Sequence, residues 1–201
     1  MLSLGILGSG SGSNMQAIID AIAAGQLNAS IKLVLSDQED AYILERAKKH
    51  GIPAAVIDCQ NYQTRFPQES QLATVRMLQD AGVELVCLAG FMRLVKSPLL
   101  DAFPQRILNI HPSLLPAYPG MMAWEQAVAD GASESGCTVH LVDEGMDTGP
   151  ILGQARVPVL PTDDAATLHK RIQIEEHRLY PEVIANYRQS LSGERLPEGG
   201  L

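Results

Sequence analysis

Between residues 2 and 111, short apolar runs alternate with amphipathic stretches, and this rhythm constrains the fold more than any other feature of the chain. LSLGIL (2–7), IKLVL (31–35), PAAVID (53–58), ELVCLAGF (84–91) and RILNI (106–110) read as strands. Between them, Met15, Ile18, Ile19 and Ile22 fall at helical spacing before Gly25 ends the helix. ILERAKKHG closes a second helix at Gly51, and a third is expected to begin near Pro67. ELVCLAGF is the most apolar run and should be a central strand, joined to RILNI by a short turn-and-helix link. Strands alternating with helices predict a single-domain, Rossmann-like α/β fold with a mostly parallel sheet and helices on both faces.

The rhythm breaks in the C-terminal half. CTVHLV (137–142) and ILGQARVPV (151–159) are separated by a glycine-rich loop and no helix, which predicts at least one antiparallel pairing. A long helix from Ala165 to Ser190 is expected next, kinked or restarted at Pro181. One domain over residues 1–190 follows, with a polar, mobile tail at 191–201. A chain of 201 residues buries roughly 70% of its unfolded surface, enough for one core.

The formal net charge of −8 argues against a nucleic-acid-binding surface, which needs clustered Lys and Arg. Cys59, Cys87 and Cys137 share no metal-ligand or redox spacing, so a reduced cytoplasmic location is expected. The start, MLSLGILGSGSGSN, reads as a first strand rather than a secretory leader, and no later run is long enough to span a membrane.

GSGSGSN (8–14) joins the first strand to the first helix. Its glycines alternate, unlike a dinucleotide fingerprint, and no acidic residue clearly ends the second strand. The glycines would let backbone approach a ligand, Ser13 and Asn14 supply donors, and a helix N-terminus directs free N–H groups at an anion. A phosphate-like group is the expected occupant; a tight turn with an Asn cap is the alternative.

At the end of the RILNI run, Asn109 and His111 are two apart and so project together from one strand end, before Pro112, Pro116 and Pro119 stop the chain. Open α/β sheets bind ligands at such ends. An amide donor beside a protonatable imidazole makes an oxyanion site with a general acid or base. Asp143, Glu144 and Asp147 in DEGMDTGPI, a loop made flexible by Gly145 and Gly149, could supply a carboxylate favouring the imidazolium. Asp147 could equally be a turn residue bonding its own backbone. Ser113 lacks the nucleophile-elbow pattern, and His50, His111, His140, His169 and His177 show no metal-ligand spacing, so no metal is expected.

SGSGSN, AGFMRL (89–94), NIHPSLLPAYPG (109–120), GCTVHLVDEGMDTGPIL (136–152) and RIQIEEHRLYP (171–181), in that order, resemble the phosphoribosylglycinamide formyltransferase family of purine biosynthesis. The resemblance covers residues 4–182. The Asn-x-His-Pro-Ser-Leu-Leu-Pro motif with a downstream Asp is shared by other folate-dependent formyl-transferring enzymes, so it names the chemistry more than the substrate. The first loop and QIEEHRLYP are more particular to the ribonucleotide enzyme.

The resemblance implies a transferase of one-carbon metabolism, in which the glycyl amine of glycinamide ribonucleotide attacks the formyl carbon of 10-formyltetrahydrofolate through a tetrahedral oxyanion. It makes Asn109 and His111 the oxyanion stabilisers, His111 also a proton relay, and Asp147 the group that holds His111 charged. Gly12, Ser13 and Asn14 become the ribose-phosphate loop, with Gln173 and Glu176 meeting the ribonucleotide. The folate positions are Arg65, Met92, Arg93, Leu94, Val95, Asn109, Asp143, Glu144, Gly145, Met146 and Asp147. Arg65 and Arg93 would hold the anionic glutamate tail. A pterin needs a flat apolar slot, which Met92, Leu94 and Val95 could wall; a core role is their alternative. Small-molecule substrates are the implied partners, for a monomer or homodimer.

Two positions depart from the family's pattern. Met122 stands where members often carry a His, and Ala117 where a basic residue is common; either could weaken a polar contact to substrate. His140 is either a supporting group near the site or a strand-core residue. The rival readings are a formyltetrahydrofolate hydrolase, expected to bring an extra N-terminal module, a methionyl-tRNA formyltransferase, expected to bring a longer C-terminal domain and a basic face, and a non-catalytic anion-binding domain.

Overall fold

A computed structural model describes residues 1–60, 62 and 65–191, with side chains through residue 188. The chain runs β1 (Leu2–Leu7), α1 (Ser13–Ala23), β2 (Ala29–Ser36), α2 (Tyr42–Lys49), β3 (Ala54–Val56), α3 (Gln68–Asp80) and β4 (Leu85–Leu88). It continues α4 (Leu99–Ala102), β5 (Ile107–His111), α5 (Ala123–Ala129), β6 (Glu134–Leu141), β7 (Ile151–Pro158) and α6 (Ala165–Leu191). The seven strands form one sheet in the order β3-β2-β1-β4-β5-β6-β7.

β3 through β5 are parallel, as the βα rhythm requires, whereas both β5–β6 and β6–β7 are antiparallel. The chain moves outward from β1 in one direction through β2 and β3, then returns to β4 on its other side. That reversal opens a crevice above the carboxyl ends of β1 and β4. Apolar side chains fill both faces of the sheet. One core gathers Met15, Ile18, Ile43, Ala127, Leu168 and Ile172 against Leu4, Ile6 and Cys87. The other packs Val75, Leu78, Leu99 and Phe103 against Leu7, Leu35 and Val86.

Three local readings change. β4 ends at Leu88, and Gly90 turns the chain with φ +72, so the AGF of the apolar run belongs to the crevice rather than the strand. α6 is continuous across Pro181. Proline removes one helical N–H bond, to the His177 carbonyl, but the buried faces around Leu179, Tyr180, Val183 and Ile184 hold the helix on the sheet through that gap. The segment 123–129, unassigned from sequence, is helical. The expected mobile tail lies outside the described residues except for Leu191.

Tyr180 ties the helix to the site. Its fully buried hydroxyl bonds the carbonyls of Leu88 and Leu108, at 3.0 and 3.1 Å, one residue before Ala89 and Asn109. Among the described residues no helix is long and apolar enough to cross a membrane.

Candidate active site

The crevice is a cleft of about 390 Å³ walled by the first loop, the turn after β4, the end of β5, the 120–124 turn, the β6–β7 loop and one face of α6. Asn109 and His111 project into it from β5, as their two-residue spacing predicts, and Asp147 reaches them from the loop. His111 Nδ1 lies 3.4 Å from Asp147 Oδ2. Its other nitrogen, Nε2, donates to the Tyr118 carbonyl at 2.9 Å. Both ring nitrogens thus face groups that can only accept.

Asn109 Nδ2 spans two partners, His140 Nε2 at 3.1 Å and Asp147 Oδ1 at 3.4 Å. His140 donates from Nδ1 to the Leu141 carbonyl at 2.8 Å, and its Nε2 stands between Asn109 Nδ2 and Asp147 Oδ1, 3.5 Å from the latter. His140 is therefore the supporting group rather than core filler: it pairs with Asn109 across the antiparallel β5–β6 register. Sequence left that open because only the register places residue 140 opposite residue 109.

The three loop acids separate by role. Asp143 is the turn residue: its Oδ1 accepts from the Gly145 N–H at 3.0 Å and the Thr148 hydroxyl at 2.7 Å. Glu144 is exposed and lies off the cleft wall, with its carbonyl and carboxylate on Lys96. Asp147, at φ +56, turns inward, where Oδ2 also accepts the Gly120 N–H at 2.8 Å. Burial works against its charge, yet the His140 and His111 imidazoles and the Gly120 N–H outweigh burial and hold the carboxyl below its ordinary value. The loop glycines serve close approach, not looseness. A Cβ on Gly149 would sit 1.8 Å from the Leu141 carbonyl oxygen, and one on Gly145 2.0 Å from the Thr148 hydroxyl.

The first loop is built from backbone. The carbonyls of Gly10 and Ser11 are turned away onto the Ile43 N–H, at 3.0 Å, and Arg46 Nε, at 2.8 Å. Gly12 caps α1 in the left-handed region, φ +71, where a side chain would also strike Ile43 at 2.7 Å. Gly10 has open space around it, room a ligand can use. Asn14 Nδ2 donates to Glu176 Oε2 at 3.1 Å, while Asn14 Oδ1 is buried without a hydrogen-bond partner. Burial pushes the Glu176 carboxyl up against the lowering effect of that bond. Gln173 lines the same arm, so Gly12, Ser13, Asn14, Gln173 and Glu176 converge on one end of the cleft.

A sequence profile described as formyl transferase matches residues 3–184. The chain belongs to that family. The phosphoribosylglycinamide formyltransferases of Bacillus subtilis and Haemophilus influenzae are 41% and 37% identical to it, over 92% and 100% of this chain and 93% and 98% of theirs. The trifunctional purine biosynthetic protein adenosine-3 of Drosophila pseudoobscura pseudoobscura is 48% identical over 90% of this chain, which spans only 13% of that protein. Among solved structures, glycinamide ribonucleotide transformylase 1 from Symbiobacterium toebii superposes with a TM-score of 0.90 at 49% identity, covering 94% of this chain and 89% of that one.

The segment expected to hold a folate splits by direction. Met92 and Leu94 are exposed at the cleft, while Arg93 and Val95 turn into the protein. Arg93 corrects the reading from sequence. It is 6% exposed, its Nε bonds Asp37 Oδ2 at 2.6 Å, and its Nη1 donates to the carbonyls of Tyr62 and Arg65. These bonds commit Nε and Nη1 of the guanidinium to the interior. Arg65 is exposed, outside the cleft wall, with its guanidinium 5.2 Å from the centre of the Tyr62 ring.

An acidic residue does follow the second strand after all. Asp37 comes directly after Ser36, but Arg93 and the Ser9 hydroxyl occupy its carboxylate, so it buttresses the first loop instead of reading a ribose. Ser113 is fully buried and donates to the Ala117 carbonyl, which removes it as a nucleophile. Ala117 is exposed and off the cleft, whereas Met122 lines it. Among the described residues no cluster of three or more His, Cys, Asp or Glu could hold a metal ion.

Proposed function

We propose that this chain is a phosphoribosylglycinamide formyltransferase acting in de novo purine biosynthesis, transferring the formyl group of 10-formyltetrahydrofolate to the glycyl amine of N1-(5-phosphoribosyl)glycinamide. The observation that carries the reading is the convergence of Asn109, His111 and Asp147, from one strand end and a loop, at one point between a backbone-built anion cradle and an apolar slot.

The cleft's two arms fit the two substrates. The first loop offers free helix N–H groups and an open Gly10 to a phosphate. The orphaned Asn14 Oδ1 awaits a donor such as a ribose hydroxyl. On the other arm, Met92, Leu94, Val142 and Met146 offer apolar walls for a flat pterin, with the backbone of residues 143–147 at its edge. With Arg93 withdrawn, the anionic tail falls to Arg65 at the exposed rim.

In the reaction, the amine nitrogen bonds to the formyl carbon and the carbonyl electrons move onto oxygen. The 3.4 Å contact of Asn109 Nδ2 with Asp147 Oδ1 is long enough to be exchanged for that oxyanion. His111 adds its charge, and Asp147, held ionised, keeps the imidazolium in place. His111 gives a proton to the folate nitrogen as the bond from carbon to that nitrogen breaks, and the neutral imidazole so formed takes up the amine's proton. Formylated glycinamide ribonucleotide and tetrahydrofolate result. These roles fall to side chains and call on no metal. Three buried, unpaired cysteines agree with a reducing cytoplasm.

The test mixes the protein with 10-formyltetrahydrofolate, with and without glycinamide ribonucleotide, and follows deformylation of the folate. Deformylation only with the ribonucleotide supports the transferase. Deformylation without it makes the chain a hydrolase, and none in either case makes it a binder.

A further inference from the structure

We infer that His169, fixed face to face against Trp124, is a further substrate-contacting residue that offers a hydrogen bond to the ribose or glycinamide portion of the ribonucleotide. The inference rests on the transferase reading above and assigns one more residue to its ribonucleotide arm.

His169, Gln173 and Glu176 stand at i, i+4 and i+7 on α6, and all three line the cleft. Glu176 marks one end of this stripe by its bond to Asn14 in the first loop. His169 lies about 10 Å further along the axis. There the stripe meets the 120–124 turn, whose Gly120 N–H is bonded to Asp147. The stripe thus runs from the anion cradle toward the catalytic groups, the direction in which a phosphate, a ribose and a glycyl amine follow one another.

The ring is held for contact rather than for packing alone. Its centroid is 3.8 Å from the Trp124 ring with an interplanar angle of 5°. Parallel stacking covers a face and leaves the edge, which carries both nitrogens, projecting from the pair. Among the described residues neither nitrogen has a protein hydrogen-bond partner. Neither nitrogen is sealed from solvent, so a ligand in the cleft can replace water as its partner. Burial also favours the uncharged ring, which keeps one donor and one acceptor nitrogen and suits a hydroxyl or amide better than a phosphate. Met122, on the same rim, offers no hydrogen bond of comparable strength. Because the stack fixes the rotamer beforehand, little side-chain entropy is lost on binding.

The test replaces the nitrogens and keeps the flat ring. In His169→Phe, the KM for glycinamide ribonucleotide, and its Kd measured by calorimetry without folate, should rise about 5–10-fold. The KM for 10-formyltetrahydrofolate and the melting temperature should stay unchanged. His169→Gln, a good helix former with a terminal amide, should recover part of the loss. The ring resonances of His169 in the unsubstituted protein should shift on adding ribonucleotide and not on adding folate, a readout independent of any variant's folding. A Phe variant that binds ribonucleotide like the parent, or resonances that do not move while ribonucleotide binds, would reduce the stack to packing and overturn the inference. Failure of the parent protein to bind glycinamide ribonucleotide would instead overturn the transferase reading.

Discussion

Two carboxylates face the same cleft from opposite ends, Asp147 in the β6–β7 loop and Glu176 on α6. Asp147 meets two imidazoles and a backbone N–H, and its ionised form is favoured in spite of burial. Glu176, 5% exposed, has a single amide donor, from Asn14, and burial favours its neutral form. Acid strength in this molecule is set by what each loop or helix brings near the carboxyl. One end of the cleft carries a fixed negative charge suited to pairing with a cation. The other carries a carboxyl whose charge burial opposes, suited to hydrogen bonding beside a phosphate.

Removing the charge at the first end should have the largest effect. Asp147→Asn keeps the shape and abolishes the negative charge opposite His111; turnover should fall by about 10²–10⁴-fold, with folate Kd changed only a few-fold. His111→Ala should behave alike. Steady-state kinetics alongside folate titration separates the two quantities, and unaltered turnover in either variant would strip the pair of its assigned role.

A third buried carboxylate sharpens the contrast, because Asp37 is paired with Arg93 away from the catalytic groups. The two side chains are 1% and 3% exposed. Arg93→Met leaves the Asp37 carboxylate with the Ser9 hydroxyl and Gln38 Nε2 as donors. An unpaired buried charge costs about 3–5 kcal/mol, so denaturant unfolding should show a loss of that order. Arg65→Ala should leave stability within about 0.5 kcal/mol and raise only the folate KM. Equal losses of stability in the two variants would mean that Arg93 is not committed to the interior.

Much of this was legible in the sequence. The βα rhythm gives the parallel half, and alternation along RILNIH puts Asn109 and His111 on one side because strand geometry has a period of two. What sequence could not supply depends on long-range register. His140 reaches Asn109 through antiparallel pairing, and Arg93 finds Asp37 across 56 positions. Nor could composition distinguish Asp143 from Asp147, both acids two residues before a glycine in one loop. Only the fold decides which of them turns inward. The glycines likewise read as looseness, although at positions 145 and 149 they permit contacts too close for any Cβ.

Glu176 gives the opposite pH behaviour to Asp147. An acid whose folded value is depressed contributes stability above its unfolded value, about 3.9 for Asp, and loses it as pH falls through the folded value. An acid whose folded value is raised contributes most below its unfolded value, about 4.3 for Glu, and that contribution drains away as pH rises through the folded one. Glu176→Gln removes the titration while keeping the shape. The melting temperature of the variant relative to the parent should therefore climb between about pH 4 and pH 8. A gap that is constant across this range would show that burial does not raise the Glu176 carboxyl.

The smallest effect is expected within the loop that carries the largest. Asp143 and Asp147 are four residues apart, and the structure gives the first a geometric role and the second an electrostatic one. At position 143 what matters is an oxygen that can accept from the Gly145 N–H and the Thr148 hydroxyl. An asparagine carbonyl oxygen supplies it, as Asn does in Asx turns generally. Asp143→Asn should therefore change turnover less than about threefold, while Asp143→Ala, which loses both bonds, should raise the folate KM about tenfold as the loop loosens. At position 147 the order reverses: Asn and Ala should be almost equally damaging to turnover, since neither carries charge to His111. If Asp143→Asn proved as harmful as Asp147→Asn, the loop would be acting through its total negative charge, and the separation of a turn acid from a catalytic one would fail.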